Sequence, residues 1–184
     1  MNILGGDCAN NQGCAVGQTY GWPIGTWCVG NVTDMSELFS SKTSFNEDLS
    51  GWDVSSVIDM DGMFWSALAF NGDISGWDVS SVTDMEDMFR GSSFNGDISN
   101  WDVSSVTKMD VMFGDTSSFN SDISNWDVSS VTSMHGMFGN SVFNGDISKW
   151  NVSSVTDMSR MFLGSGFNSD ISPLKELPLN ILPM

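Results

Sequence analysis

The sequence predicts an α/β solenoid, a right-handed stack of coils with a parallel sheet on one face and short helical turns opposite. Two observations predict it. The first is a repeated unit, FNGDISNWDVSSVTKMDVMFG in its clearest copy, that begins at Phe45, Phe70, Phe94, Phe119, Phe143 and Phe167, with an altered copy at Tyr20. The intervals are 25, 25, 24, 25, 24 and 24 residues, and a fixed period of roughly 20 to 50 residues marks chains whose units stack on one another. The second is a change of hydrophobic period inside each unit, from alternation near its start to a helical spacing near its end.

One unit cannot stand alone. Phe94, Ile98, Trp101, Val103, Val106, Met109, Met112 and Phe113 are its apolar set, each contributing roughly 1.5–3 kcal/mol if fully buried. Ordering some two dozen residues costs on the order of 1.5 kcal/mol each, so neighbouring units must cover it.

Asp97, Ile98 and Ser99 read as a short strand, Ile98 inward and its polar neighbours outward. The next position is Gly51, Gly76, Asn100, Asn125 or Lys149 in successive copies. Strict alternation would bury it, so the strand must end or bend before the Trp. From there Val106, Met109, Met112 and Phe113 fall on one face of a helical turn. Thr107 and its equivalents Thr33, Thr83, Thr132 and Thr156 stand where an N-cap belongs, Thr83 with Glu86 forming a capping box, and Ile58 alone breaks the column. Length varies only between the Met-Phe pair and the next leading Phe, which predicts a surface corner there.

The chain then divides into an N-terminal cap at 1–19, six repeats over 20–166, and a partial repeat with a C-terminal cap at 167–184. Residues 1–19 lack the basic and apolar regions of a signal peptide, and no run approaches the ~18 apolar residues of a membrane span. The cysteines are Cys8, Cys14 and Cys28, and Cys28 stands in a column that is otherwise Asp53, Asp78, Asp102 and Asp127. A solenoid end exposes a core edge, so a disulfide from Cys28 to Cys8 or Cys14 is expected to pin the cap. The spacing is not that of a zinc site. In the tail, Pro173, Pro178 and Pro183 stop regular pairing while Leu177, Leu179, Ile181 and Leu182 stay apolar, as a cap or a docking surface for another subunit would require.

Twenty-three acids against six bases leave a formal net charge of −17. Such a field repels nucleic acid and anionic membranes and attracts cations. Stacked strands about 4.8 Å apart would align Asp48, Asp73, Asp97, Asp122 and Asp146 into a file of carboxylates, with Ser50, Ser75, Ser99, Ser124 and Ser148 beside it. Two readings of that file are open: each Asp caps a turn of its own coil, or Asp73, Asp97, Asp122 and Asp146 hold Ca²⁺, the one cofactor in view. The file Asp53, Asp78, Asp102, Asp127, Asn151 reads as turn chemistry. Asn46, Asn71, Asn95, Asn120, Asn144 and Asn168 read as an asparagine ladder satisfying buried loop amides. The Trp and Met columns read as core.

The unit FNGDISNWDVSSVTDMxxMF resembles the BspA-like leucine-rich-repeat surface proteins, in the variety found in bacterial surface lipoproteins and marine microalgal proteins. The opening YGWPIGTWCVGNVTDM is similar to the start of the algal members. The resemblance covers residues 20–172. It implies a leucine-rich-repeat-like fold with a parallel sheet, an extracellular or cell-surface location and a binding role; some bacterial relatives are adhesins for host matrix proteins. It supplies no catalytic residue. The single histidine, His135, lies at a variable position, and no Ser or Cys has a base placed beside it. The expected function is therefore non-enzymatic adhesion to protein or glycan through the Asp/Ser columns, with end-to-end self-assembly into filaments or ice binding as alternatives.

Overall fold

The computed structural model describes residues 23–170. Within that range each repeat is bonded through its backbone to the next. The N–H groups of Phe39, Phe64, Phe89, Phe113 and Phe138 donate to the carbonyls of Met63, Met88, Met112, Met137 and Met161 at 2.8–3.0 Å.

These bonds overturn the expected α/β solenoid. Among the described residues the only helix is a 3₁₀ turn at Ile24–Thr26. Strand-type pairing is reduced to five isolated parallel bridges, Asp34↔Asp59, Asp59↔Asp84, Asp84↔Lys108, Lys108↔Ser133 and Ser133↔Asp157. Among the described residues no parallel sheet forms on the Asp-Ile-Ser side and no helical turns lie opposite. Instead the inter-repeat ladder runs through the Asp-Met-x-x-Met-Phe segment, the part the spacing assigns to a helix.

The physical reason is an alternation of hydrogen bonds along that segment. In the copy that begins at Phe45 the N–H groups of Met60, Gly62, Phe64 and Ser66 donate to Asp84, Glu86, Met88 and Arg90 of the next repeat at 2.8–3.0 Å. The residues between them donate backwards: Met63 to Met60 at 3.2 Å, Trp65 to Gly62 at 3.0 Å and Ala67 to Phe64 at 3.0 Å. With Asp61 N–H taken by Asp59 Oδ1 at 2.9 Å, the donors alternate between closing four-residue turns and crossing to the neighbour, so none is left for an i→i−4 helix. Two left-handed residues per repeat permit this path: Glu37 and Ser41, Gly62 and Ser66, Asp87 and Gly91, Val111 and Asp115, Gly136 and Asn140, Arg160 and Gly164 all have φ between +52° and +71°. Each sits at the third position of a turn or its equivalent, where positive φ is required. Consecutive four-residue turns return Met60 and Met63 to the same side, both fully buried, and so mimic a helical face.

The threonine column is corrected with the helix it was expected to cap. Thr107, Thr132 and Thr156 each donate both N–H and hydroxyl to the carbonyl of Thr83, Thr107 and Thr132 of the preceding repeat, the N–H bonds at 2.8–2.9 Å and the hydroxyl bonds at 3.0–3.1 Å. The strand segment is replaced by turns: Ser99 N–H binds Asp97 Oδ1 at 3.0 Å and Trp101 N–H binds the Ile98 carbonyl at 3.1 Å. What crosses between repeats here is a side chain. The indole Nε1 of Trp52, Trp77, Trp101, Trp126 and Trp150 donates to the carbonyl of Ile24, Leu49, Ile74, Ile98 and Ile123 of the repeat before, at 2.9–3.2 Å.

The core lies between these two seams. Within a repeat the two phenylalanines stack, Phe64 on Phe70 with ring centroids 3.8 Å apart and planes 5° from parallel. Between repeats Phe64 stacks on Phe89 at 5.7 Å and 3°. Each such pair adds roughly 0.5–1.5 kcal/mol beyond its buried area. The Trp column is buried beside them, Trp77 and Trp101 lying 6.5 Å apart and within 4° of parallel. The corner after the Met-Phe pair is exposed at Trp65, Leu68, Val142 and Leu163, yet each copy from Ala67 to Ser141 also buries one small residue. Thr116 is one of these, its hydroxyl donating to the Phe113 carbonyl at 2.6 Å.

Candidate binding columns

The Asp/Ser pairs expected to form a ligand face are exposed and closed on themselves. Asp48, Asp73, Asp97, Asp122 and Asp146 each use Oδ1 to accept the N–H of Ser50, Ser75, Ser99, Ser124 and Ser148 at 2.8–3.0 Å. Bonds from that serine hold all five carboxyls below the usual range, with the hydroxyl leading at Asp48 and the backbone N–H leading at the other four. Turn capping is therefore what this file does in the fold, and the carboxylates keep their charge on the surface. Among the described residues no three His, Cys, Asp or Glu side chains converge as they would around a metal ion.

The second file does the same work one turn later. Asp53, Asp78, Asp102, Asp127 and Asn151 accept the N–H of Ser55, Ser80, Ser104, Ser129 and Ser153 at 3.0–3.2 Å. The asparagine column forms a ladder: Oδ1 of Asn46, Asn71, Asn95, Asn120 and Asn144 accepts the backbone N–H of the next Asn in the file at 2.8–2.9 Å. These asparagines are exposed, so the ladder satisfies backbone at the surface.

One acidic surface escaped the reading of the sequence. The ladder face brings Asp59, Asp61, Asp84, Glu86 and Asp110 together in successive repeats. Burial, followed by repulsion from Asp84, Asp59, Asp87 and Glu37, pushes the Asp61 carboxyl up. Burial, followed by repulsion from Asp110, Asp61 and Asp84, does the same to Glu86. Lys108 Nζ reaches Asp84 Oδ2 at 2.6 Å, and Arg90 bridges Asp87 and Asp115 at 3.2 Å each. The signal was present as two acidic columns either side of the repeated Met at Met60, Met85 and Met109, but assigned to a helix those columns diverge around its axis.

His135 is half-buried in the same seam. Its N–H binds Asp110 Oδ1 at 2.7 Å, its Nδ1 lies 2.8 Å from Ser159 Oγ, and Ser133 Oγ also donates to Asp110 Oδ1. Cys28 is exposed, while Cys8 and Cys14, the expected disulfide partners, lie outside the described residues, as does most of both caps. No helix among the described residues is long and apolar enough to cross a membrane.

Two overlapping stretches of the chain, residues 14–116 and 77–174, match the model of one family, described as "Mycoplasma protein of unknown function, DUF285". No curated protein and no solved structure matches. The overlap follows from the repeats, since a model several units long can be laid on the same chain in two registers. Because the matched stretches together span nearly all of the sequence, the chain belongs to the DUF285 family.

Proposed function

We propose that the chain is a non-enzymatic, extracellular or surface-displayed binding protein of the BspA-like kind, which engages a protein or glycan along its stack of repeats. The observation that supports this is the recurrence of the same exposed polar groups in every repeat, joined by the inter-repeat ladder. An array of identical groups suits an extended ligand, whereas a single active site needs several different groups at one point. The excess of acid favours a ligand that presents basic side chains or other cationic groups.

Two sets of carboxylates compete for the contact, and charge-removing substitutions separate them. Asp73→Asn, Asp97→Asn and Asp122→Asn together keep an Oδ1 acceptor for each turn, as Asn151 does for Ser153. Asp61→Asn with Glu86→Gln removes two of the ladder-face charges, the pair whose carboxyls burial pushes up. Purified chain would be tested for binding to immobilised matrix proteins and glycans at two salt concentrations. Binding that is weakened by salt and lost in one variant set identifies the face. Retention of full binding by both sets, or no binding to any surface, removes the acidic-array reading.

A further inference from the structure

The sequence contains two Asn-x-Ser/Thr triplets without proline at the middle position, Asn31-Val32-Thr33 and Asn151-Val152-Ser153. Such a triplet is an acceptor signal for N-linked glycan only if it lies on an accessible surface turn. Both do. Asn31 is exposed, in the turn closed by Val32 N–H on the Val29 carbonyl at 2.8 Å. Asn151 is exposed between buried Trp150 and buried Val152, so its side chain is held outward by neighbours anchored in the core.

The second triplet arises from the repeat itself. At the equivalent position four copies carry Asp53, Asp78, Asp102 and Asp127, each bonded through Oδ1 to the serine two residues on. Asn151 keeps that bond to Ser153 at 3.2 Å. These five copies thus already hold the hydroxyl residue two positions along and the turn that brings it to the side-chain carbonyl. Exchange of one carboxylate oxygen for an amide nitrogen adds the nucleophile.

We propose that Asn31 and Asn151 are acceptors for N-linked oligosaccharide. The Nδ2 of each attacks the anomeric carbon of an oligosaccharide carried on polyprenyl diphosphate; the bond from that carbon to the diphosphate oxygen breaks, one amide proton is lost, and polyprenyl diphosphate leaves. At Asn151 the turn uses Oδ1, so attachment through Nδ2 leaves the fold's hydrogen bond in place. Both sites lie on the segment that follows the Trp column, in the first and last repeats described, and the copies between them carry none. The proposal rests on the extracellular reading above in one respect, that the donor is met only on the exported side of a membrane.

The full chain, directed through the secretory pathway of a eukaryotic cell by an added leader, would be weighed intact before and after peptide N-glycosidase. The expected result is two enzyme-removable glycans, one lost in Asn151→Asp and the other in Asn31→Ser. Both substitutions restore the residue that other copies carry and so preserve the fold. Asp102→Asn should gain a third glycan, because Asp102 makes the same turn with Ser104 at 3.1 Å. Absence of enzyme-sensitive mass on the wild-type chain, or its persistence in the Asn31→Ser, Asn151→Asp double variant, overturns the proposal. A glycan on the redirected chain, together with unglycosylated chain found in the cytoplasm of its own cells, upholds the acceptor sites and removes the extracellular reading instead.

Discussion

At the scale of single residues, the left-handed positions show where the chain departs from its own most favourable choice. Val111 has φ +52°, and a β-branched residue is the least suited to that region, at a cost of roughly 1–2 kcal/mol relative to an unstrained conformation. The equivalent positions Gly62 and Gly136 avoid it. Val111→Gly should therefore stabilise the protein by on the order of 0.5–1 kcal/mol, the relief of strain being partly offset by glycine's greater freedom in the unfolded chain. Gly62→Val should destabilise by about 1–2 kcal/mol. Urea midpoints of the two variants check the pair, and a fall in both would show that packing at Val111, rather than backbone strain, sets the sign.

At the scale of elements, two different seams join the repeats. The ladder segment joins them through backbone, and the Asp-Ile-Ser segment joins them through an indole N–H. Trp101 Nε1 bonds the Ile74 carbonyl at 3.2 Å with the ring almost wholly buried. Trp101→Phe keeps an aromatic ring in the stack but strips one bond from a buried carbonyl and leaves a small void. The expected loss is on the order of 2 kcal/mol, visible in chemical denaturation. A change near zero would mean that the Trp column acts by burial alone. The asparagine ladder is a third, surface seam of the same kind, one side-chain acceptor per repeat.

At the scale of the whole molecule, the carboxylates fall into two opposed groups. Asp61 and Glu86 have folded pKa values raised by burial and by their acidic neighbours. Charging them disfavours folding at neutral pH, and stability rises as they take up protons on mild acidification. The Asp48 to Asp146 file has folded values lowered by bonds from serine. Its contribution is present above the ordinary carboxylate range, about 4, and is lost as pH falls through the lowered values. The melting temperature should therefore climb from pH 7 toward a maximum just above that range and fall steeply below it. Asp61→Asn with Glu86→Gln should flatten the climb and leave the acid fall; a melting temperature that declines steadily from pH 7 in the unaltered chain would contradict this assignment.

Which side chains lie inside was legible from spacing alone: Phe94, Ile98, Trp101, Val103, Val106, Met109, Met112 and Phe113 are all buried. So was the turn role of the Asp53 to Asn151 file, because Asx turns join residues two apart and need no knowledge of the neighbouring repeat; the asparagine ladder, expected to serve buried amides, instead crosses between repeats at the surface. The path of the backbone was not legible. A helix and a run of four-residue turns place Met109 and Met112 on one face alike, and Glu37, Asp87, Val111 and Arg160 carry no glycine-like mark of the positive φ they adopt. Whether a segment closes its hydrogen bonds on itself or on the next repeat depends on what faces it across the stack. The tertiary structure alone decided that the Asp-Met-x-x-Met-Phe segment, and not Asp-Ile-Ser, supplies the backbone bonds between repeats, and it thereby gathered Asp61, Glu86 and Asp110 into one acidic face.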